Sequence, residues 1–77
     1  MTPEDYIEGA EKMRETLIRG LALANRIHTI SQKNIGAEPD YHAVACIQAF
    51  NVGCDIRTCL VNLDALTKRL RKDAKLD

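Results

Sequence analysis

Residues 40 to about 71 carry more apolar side chains than one neighbouring helix can cover. Wound as an α-helix, they place one apolar group on a continuous face for roughly eight turns. We call it the Val52 group: Tyr41, Ala45, Val52, Ile56, Cys59, Leu63, Leu66 and Leu70. The Phe50 group lies nearly opposite: Ala43, Ile47, Phe50, Cys54, Val61 and Ala65. Because a helix that is apolar on two faces is normally buried, this segment predicts a helix with more than one neighbour.

The residues before this segment predict one other long helix. Thr2 is a favourable N-cap, Pro3 suits the first turn, and Asp5 completes an approximate capping box with Thr2. An apolar stripe with helical spacing follows: Tyr6, Ala10, Met13, Leu17, Leu21, Ala24, Ile27 and His28. Leu23 and Ile30 lie near the polar side of the same helix, so they indicate further contacts.

A short loop separates the two helical patterns. Gly36 or Asn34 can adopt the left-handed conformation that ends a helix, and Pro39 cannot continue the first helix but can begin a second. A link of this length joins antiparallel neighbours. We therefore predict an all-α, antiparallel helical hairpin in a single domain. Its parts are helix 1 at about 3–33, a loop at 34–39, helix 2 at about 40–72 and a frayed tail at 73–77.

Two details of this hairpin are less constrained. Residues 51–53 (Asn-Val-Gly) could end a helix and Asp55 could cap a new one, but the apolar register runs through them without a slip and favours one helix. Pairing residues whose numbers sum to roughly 73 sets Gly20 against Gly53 and Leu17 against Ile56. It also sets the acidic start of helix 1 beside the basic end of helix 2, which supports the antiparallel arrangement.

Size and composition favour oligomerisation and give no indication of membrane or nucleic acid. A chain of 77 residues buries only a modest core and often needs further stabilisation from disulfides, a metal ion or oligomerisation. Eleven basic and eleven acidic side chains balance, no apolar run approaches about 20 residues, and the N-terminus is acidic. We expect a cytoplasmic protein without a membrane span. The three cysteines, Cys46, Cys54 and Cys59, fall on different faces of one helix, which predicts free thiols.

The residues that could bind a metal ion or act in catalysis form only weak sequence patterns. His28, His42 and Cys46 could lie close enough to bind zinc, yet they form no CxxC or HxxxH pair. The same residues lack the third group and the oxyanion site that nucleophilic catalysis requires. We therefore expect no catalytic residue, cofactor or metal, and a protein that is not an enzyme.

Polar residues on helix 2 form what we call the polar ribbon: Gln48, Asn51, Asp55, Thr58 and Asn62. It could recognise a ligand or fix the register of an oligomer, and it could equally be the solvent side of the helix. Arg57 lies apart from it and is a candidate for an interchain salt bridge. The basic segment at 68–75 has no aromatic side chain for base stacking.

These features predict a homodimeric four-helix bundle. Helix 2 would meet a partner chain through Ala43, Ile47, Phe50, Cys54, Arg57 and Val61, and helix 1 through the Val52 group, although the two faces could be exchanged.

The corresponding function is a small non-enzymatic interaction module that self-associates and docks on a larger protein as an adaptor, small chaperone or inhibitor. Helical hairpins of this size occur among secretion chaperones and phage-encoded inhibitors, which is an analogy of fold alone. One alternative is a binder of small ligands or nucleotides with a pocket between subunits, lined by the polar ribbon and Arg57. Another is a nucleic-acid-associated protein that uses the basic C-terminus.

Overall fold

The computed structural model describes residues 2–36 and 41–75. These two ranges contain no strand and form two α-helices, α1 (Pro3–Lys33) and α2 (Tyr41–Asp73), which pack against each other. Glu11 near the start of α1 contacts Arg71 near the end of α2, and His28 contacts Phe50, so the helices are antiparallel. The result is a rod of 56 × 17 × 15 Å. The predicted all-α helical hairpin is confirmed.

The start of α1 is fixed by the predicted capping box. The Asp5 amide donates to Thr2 Oγ1 at 3.3 Å, and the Thr2 amide donates to Asp5 Oδ2 at 2.9 Å. Both partners therefore satisfy amide groups that the first helical turn leaves free. The backbone hydrogen bond from Thr2, followed by that from its side chain, lowers the pKa of Asp5 because both stabilise the carboxylate.

The end of α1 uses both residues that the sequence singles out. Asn34 caps the helix, with its backbone amide on the Ser31 carbonyl at 3.0 Å and its side-chain amide on the Ile30 carbonyl at 2.8 Å. Gly36 has a φ of 92°, the left-handed conformation that a glycine adopts without a steric penalty. The roles predicted for Pro39 and Asp40 lie outside the described residues.

Helix α2 is continuous through residues 51–53, so the three-helix alternative is wrong. Gly53 is buried against α1, and its neighbours on the same face continue to pack there on both sides of it. Packing along the whole helix therefore outweighs the local cost of a glycine, which is about 1 kcal/mol relative to alanine.

The two helices meet along what we call the seam, where buried and half-buried residues recur at spacings of three and four, with one spacing of seven across the exposed Arg14. On α1 these are Ile7, Ala10, Leu17, Leu21, Ala24, His28 and Ser31; on α2 they are His42, Cys46, Ala49, Gly53, Ile56, Leu60, Leu63, Thr67 and Leu70. This is the spacing of antiparallel helices that pack knobs into holes. Many of the most buried positions are small, so the hairpin has a thin core.

The seam corrects the expected contact face of α2. Ile56, Leu63 and Leu70 belong to it, but Val52 and Leu66 remain 48% and 49% exposed. The seam runs between the Val52 group and the Phe50 group, where Cys46, Ala49 and Gly53 allow α1 to approach closely.

The expected pairing of Gly20 with Gly53 is also wrong. A Cβ added at Gly20 would lie 3.5 Å from Ile56 Cδ1, and one added at Gly53 would lie 3.8 Å from Leu21 Cδ1. Each glycine therefore faces a large side chain of the other helix. A glycine opposite a glycine would leave a void, whereas a branched side chain fills the space.

Candidate interaction surface

One side of the hairpin is an open apolar groove that runs along both helices. Three hollows of about 560, 320 and 360 Å³ follow one another from the start of α1 towards its end. Their lining from α1 is Tyr6, Gly9, Ala10, Met13, Leu17, Gly20, Ala24 and Ile27, with Asp5 at one end. From α2 it is Ala45, Ala49, Val52, Cys59, Leu63, Leu66 and Leu70, with Gln48 and Asn62 at the edge. We call this surface the groove.

The groove residues that lie beside the seam repeat every seven positions. On α1 they are Tyr6, Met13, Gly20 and Ile27, and on α2 they are Ala45, Val52, Cys59 and Leu66. Each helix therefore carries a third apolar heptad line beside the two lines that the seam uses. An apolar line beyond those of one seam is typical of a helix that contacts two neighbours in a four-helix bundle. This repeat is visible in the sequence, but which line pairs within the chain is not.

The opposite side of the hairpin is joined by polar contacts. Arg71 Nη2 donates to Glu11 Oε1 at 2.9 Å, and Arg14 Nε donates to Asp64 Oδ1 at 3.1 Å. Arg57 Nη2 donates to Asn25 Oδ1 at 3.4 Å. Within residues 2–36 and 41–75, every side-chain hydrogen bond between α1 and α2 lies on this side. The two long sides of the hairpin therefore differ in their polar contacts, although both expose large apolar side chains.

The residues expected to meet a partner chain lie on this polar side. Ile47 and Val61 are 60% and 68% exposed, and Cys54 is exposed beside them. Phe50 packs against His28 with ring centroids 5.8 Å apart, and Arg57 bonds to Asn25. Half-buried Ala43 completes the set. Their role in an interface stays a prediction, but Phe50 and Arg57 already have partners within the chain.

The polar ribbon borders the groove. Gln48 and Asn62 line its α2 edge, and Asp55 lies midway between them at the same heptad position. Asn51 and Thr58 lie on the side of α2 that faces away from α1. Since Arg57 lies on the other side of the helix, the hairpin does not bring it together with the ribbon.

The candidate metal ligands have other contacts. Cys46 is buried in the seam, and the His42 ring stacks on Tyr41 with centroids 4.4 Å apart. His28 contacts Phe50. Among the described residues, no group of three histidine, cysteine or carboxylate side chains is arranged to hold a metal ion.

The basic end of α2 is partly neutralised by neighbouring acids. Arg71 pairs with Glu11, as the antiparallel charge pattern predicts, and Arg69 pairs with Asp73 at 3.2 Å. Lys68, Lys72 and Lys75 are exposed. Because both ion pairs are exposed, each contributes at most about 1 kcal/mol.

Helix α2 is long and apolar enough to cross a membrane by length and composition. An 18-residue window reaches a mean hydropathy of 1.3, and 11% of it is buried in the hairpin. Helices in the cores of globular proteins meet the same criterion, so this is weak evidence. The small buried share shows that α1 leaves most of this apolar window uncovered.

Comparisons with protein-family models, with curated proteins and with solved structures each return no significant match.

Proposed function

We propose that this chain is a small non-enzymatic protein-interaction module that self-associates as a homodimeric four-helix bundle. In that form it would dock on a larger protein as an adaptor, small chaperone or inhibitor. The observation that carries the proposal is the apolar surface that one hairpin leaves in water.

Fourteen large apolar side chains of the described residues are at least 42% exposed. None of the large side chains in the same residues is completely buried, and the core consists of Ile7, Leu63 and smaller residues. Burial of apolar surface contributes about 25 cal/mol per Å², so a thin core supplies little stability to a chain of this size. A partner that covers the exposed side chains would supply the missing burial.

The same surface supports binding rather than catalysis. The groove is lined almost entirely by apolar side chains, and Asp5, the carboxylate at its end, is bonded to Thr2 in the capping box. Cys59 is the groove's thiol, and no histidine lies among the residues that line the three hollows with it. A surface of this kind recognises shape and apolar area.

Analytical ultracentrifugation of the purified chain tests the proposal. We expect a mass twice the 8.6 kDa of one chain at micromolar concentration and a reversible shift towards one chain on dilution. A folded chain that sediments at 8.6 kDa at every concentration would overturn self-association.

A further inference from the structure

We infer that the second copy of the chain docks in the groove, with both helices of each hairpin in contact, rather than on the side of α2 that carries Ile47, Cys54 and Val61. This inference rests on the proposed self-association and assigns its surface. Three properties of the groove support it: its polarity, its width and its area.

The polarity of the groove suits contact with a copy of itself. In a two-fold dimer the same patch supplies both sides of the interface, so a charged patch would face its own charge. The groove's lining contains one ionisable carboxylate, Asp5, and that lies at one end in the capping box. The opposite side carries Glu11, Arg14, Asp64 and Arg71, already paired within the chain. Docking there would disturb these pairs, whereas docking in the groove leaves them intact.

The width of the apolar surface favours a hairpin over a single helix as the occupant. Leu23 and Ile30 are 60% and 53% exposed, and they lie one heptad line beyond Met13 and Ile27 on α1. One helix laid along the groove would contact Met13 and Ile27 and leave Leu23 and Ile30 in water. A second hairpin brings two helices, and the outer one of these reaches the line of Leu23 and Ile30.

The area of the groove is close to that of a stable interface. From Ala45 to Leu70 the groove is about 38 Å long at 1.5 Å per residue. With the rod's 17 Å width, that gives about 650 Å² in projection. Stable complexes bury about 800 Å² of accessible surface per partner, and accessible surface exceeds its projection on a grooved face. The groove, together with the neighbouring line of Leu23 and Ile30, therefore approaches the area of a stable dimer interface.

The cysteines of the native chain provide a direct test, because each reports on one surface. Cys46 lies in the seam, Cys59 lines the groove, and Cys54 lies on the opposite side of α2. The chain is treated with iodoacetamide below and above the concentration at which it dimerises, and each alkylation rate is measured by mass spectrometry. Where nine-tenths of the chains are dimeric, Cys59 should react about tenfold more slowly, because only the monomer exposes it. Cys54 should keep its rate, and Cys46 should react slowly throughout.

A matched pair of variants gives an independent readout. Val52→Asp places a charge in the groove, and Val61→Asp makes the same change on the opposite side of the same helix. Both valines are about half exposed or more in the hairpin, so circular dichroism at 222 nm should be unchanged. Val52→Asp should weaken dimerisation at least about a hundredfold by sedimentation, since the dimer would bury two unpaired carboxylates. Val61→Asp should sediment like the native chain.

The outcomes distinguish a failure of docking in the groove from a failure of self-association itself. A native chain that is monomeric at all concentrations overturns both. A dimer in which Cys54 is protected and Cys59 is not, or which Val61→Asp dissociates and Val52→Asp does not, overturns the groove and retains self-association.

Discussion

At the residue scale, the glycines of this chain fall into two classes that a substitution by alanine separates. Gly53→Ala should stabilise the hairpin by about 0.5–1 kcal/mol, because alanine is the better helix former. The added Cβ would lie 3.7 Å from Arg57 Nη1 and 3.8 Å from Leu21 Cδ1, which are ordinary contacts.

Gly36→Ala should instead destabilise by about 1–2 kcal/mol, since its φ of 92° is unfavourable for a residue with a Cβ. Urea unfolding at one protein concentration measures both variants. A loss of stability in Gly53→Ala would show that α1 and α2 approach more closely than the structure indicates.

A second residue-scale prediction concerns the pH dependence of the capping box. The pKa of Asp5 is lowered by its hydrogen bonds to Thr2, so its contribution is complete above the unfolded value of about 3.9 and is lost as pH falls through the folded value. The stability difference between the native chain and Asp5→Asn should therefore be constant near neutral pH and shrink below about pH 4. Thermal midpoints from pH 7 to pH 2.5 measure it, with Glu4→Gln as a control outside the capping box. A difference that stays constant to pH 2.5 would contradict the assignment.

At the element scale, two leucines one turn apart on α2 distinguish the seam from the groove. Leu63 is 7% exposed in the seam, and Leu66 is 49% exposed in the groove. In the monomeric Val52→Asp background, Leu63→Ala should cost about 2–3 kcal/mol, and Leu66→Ala less than about 1 kcal/mol. In the native background Leu66→Ala should also weaken dimerisation. Urea unfolding gives the first comparison and sedimentation gives the second. Equal losses in the monomeric background would place the seam elsewhere on α2.

The two helices show how far the sequence could predict the fold. Pro3, Thr2 and Asp5 at one end of α1, and Asn34 and Gly36 at the other, are local signals, and local signals identified the helix. To predict which face of α2 contacts α1, by contrast, one must choose between several apolar faces of the same helix.

Both apolar groups of α2 have helical spacing, so periodicity could not tell which line faces α1. Helix α1 packs against the side of α2 that carries Cys46, Ala49 and Gly53, because these small residues allow a close approach. A hydrophobicity pattern does not distinguish residues by size. The groove cannot be assigned from the sequence for the same reason, although Leu23 and Ile30 indicate contacts beyond the hairpin.

At the scale of the whole molecule, the exposed apolar surface could contact lipid or another protein. Contact with lipid as a membrane-spanning helix would require α2 to place charged residues in the bilayer. A helix that crosses a bilayer would carry Asp55 and Arg57 near its middle, at about 2.5–3.5 kcal/mol for each charge. It would also break the bond between Arg57 and Asn25. We therefore expect the chain to stay at the bottom of a flotation gradient with phosphatidylcholine vesicles. Co-flotation that survives high salt would contradict this expectation and favour a membrane role.

The most general consequence of a thin core concerns the dependence of stability on concentration. If the groove supplies burial that one hairpin lacks, unfolding is coupled to dissociation, and the folded state gains about 1.4 kcal/mol per dimer for each tenfold rise in concentration. For an assembly of this size, the melting temperature should rise by about 3–6 °C over that tenfold step.

Val52→Asp should melt at one temperature whatever its concentration, and Val61→Asp should follow the native chain. Circular dichroism melts across a hundredfold range of concentration measure all three proteins. A native melting temperature that is independent of concentration, in a chain that melts cooperatively, would mean that α1 and α2 form a sufficient core by themselves. The exposed groove would then contribute nothing to the stability of the fold.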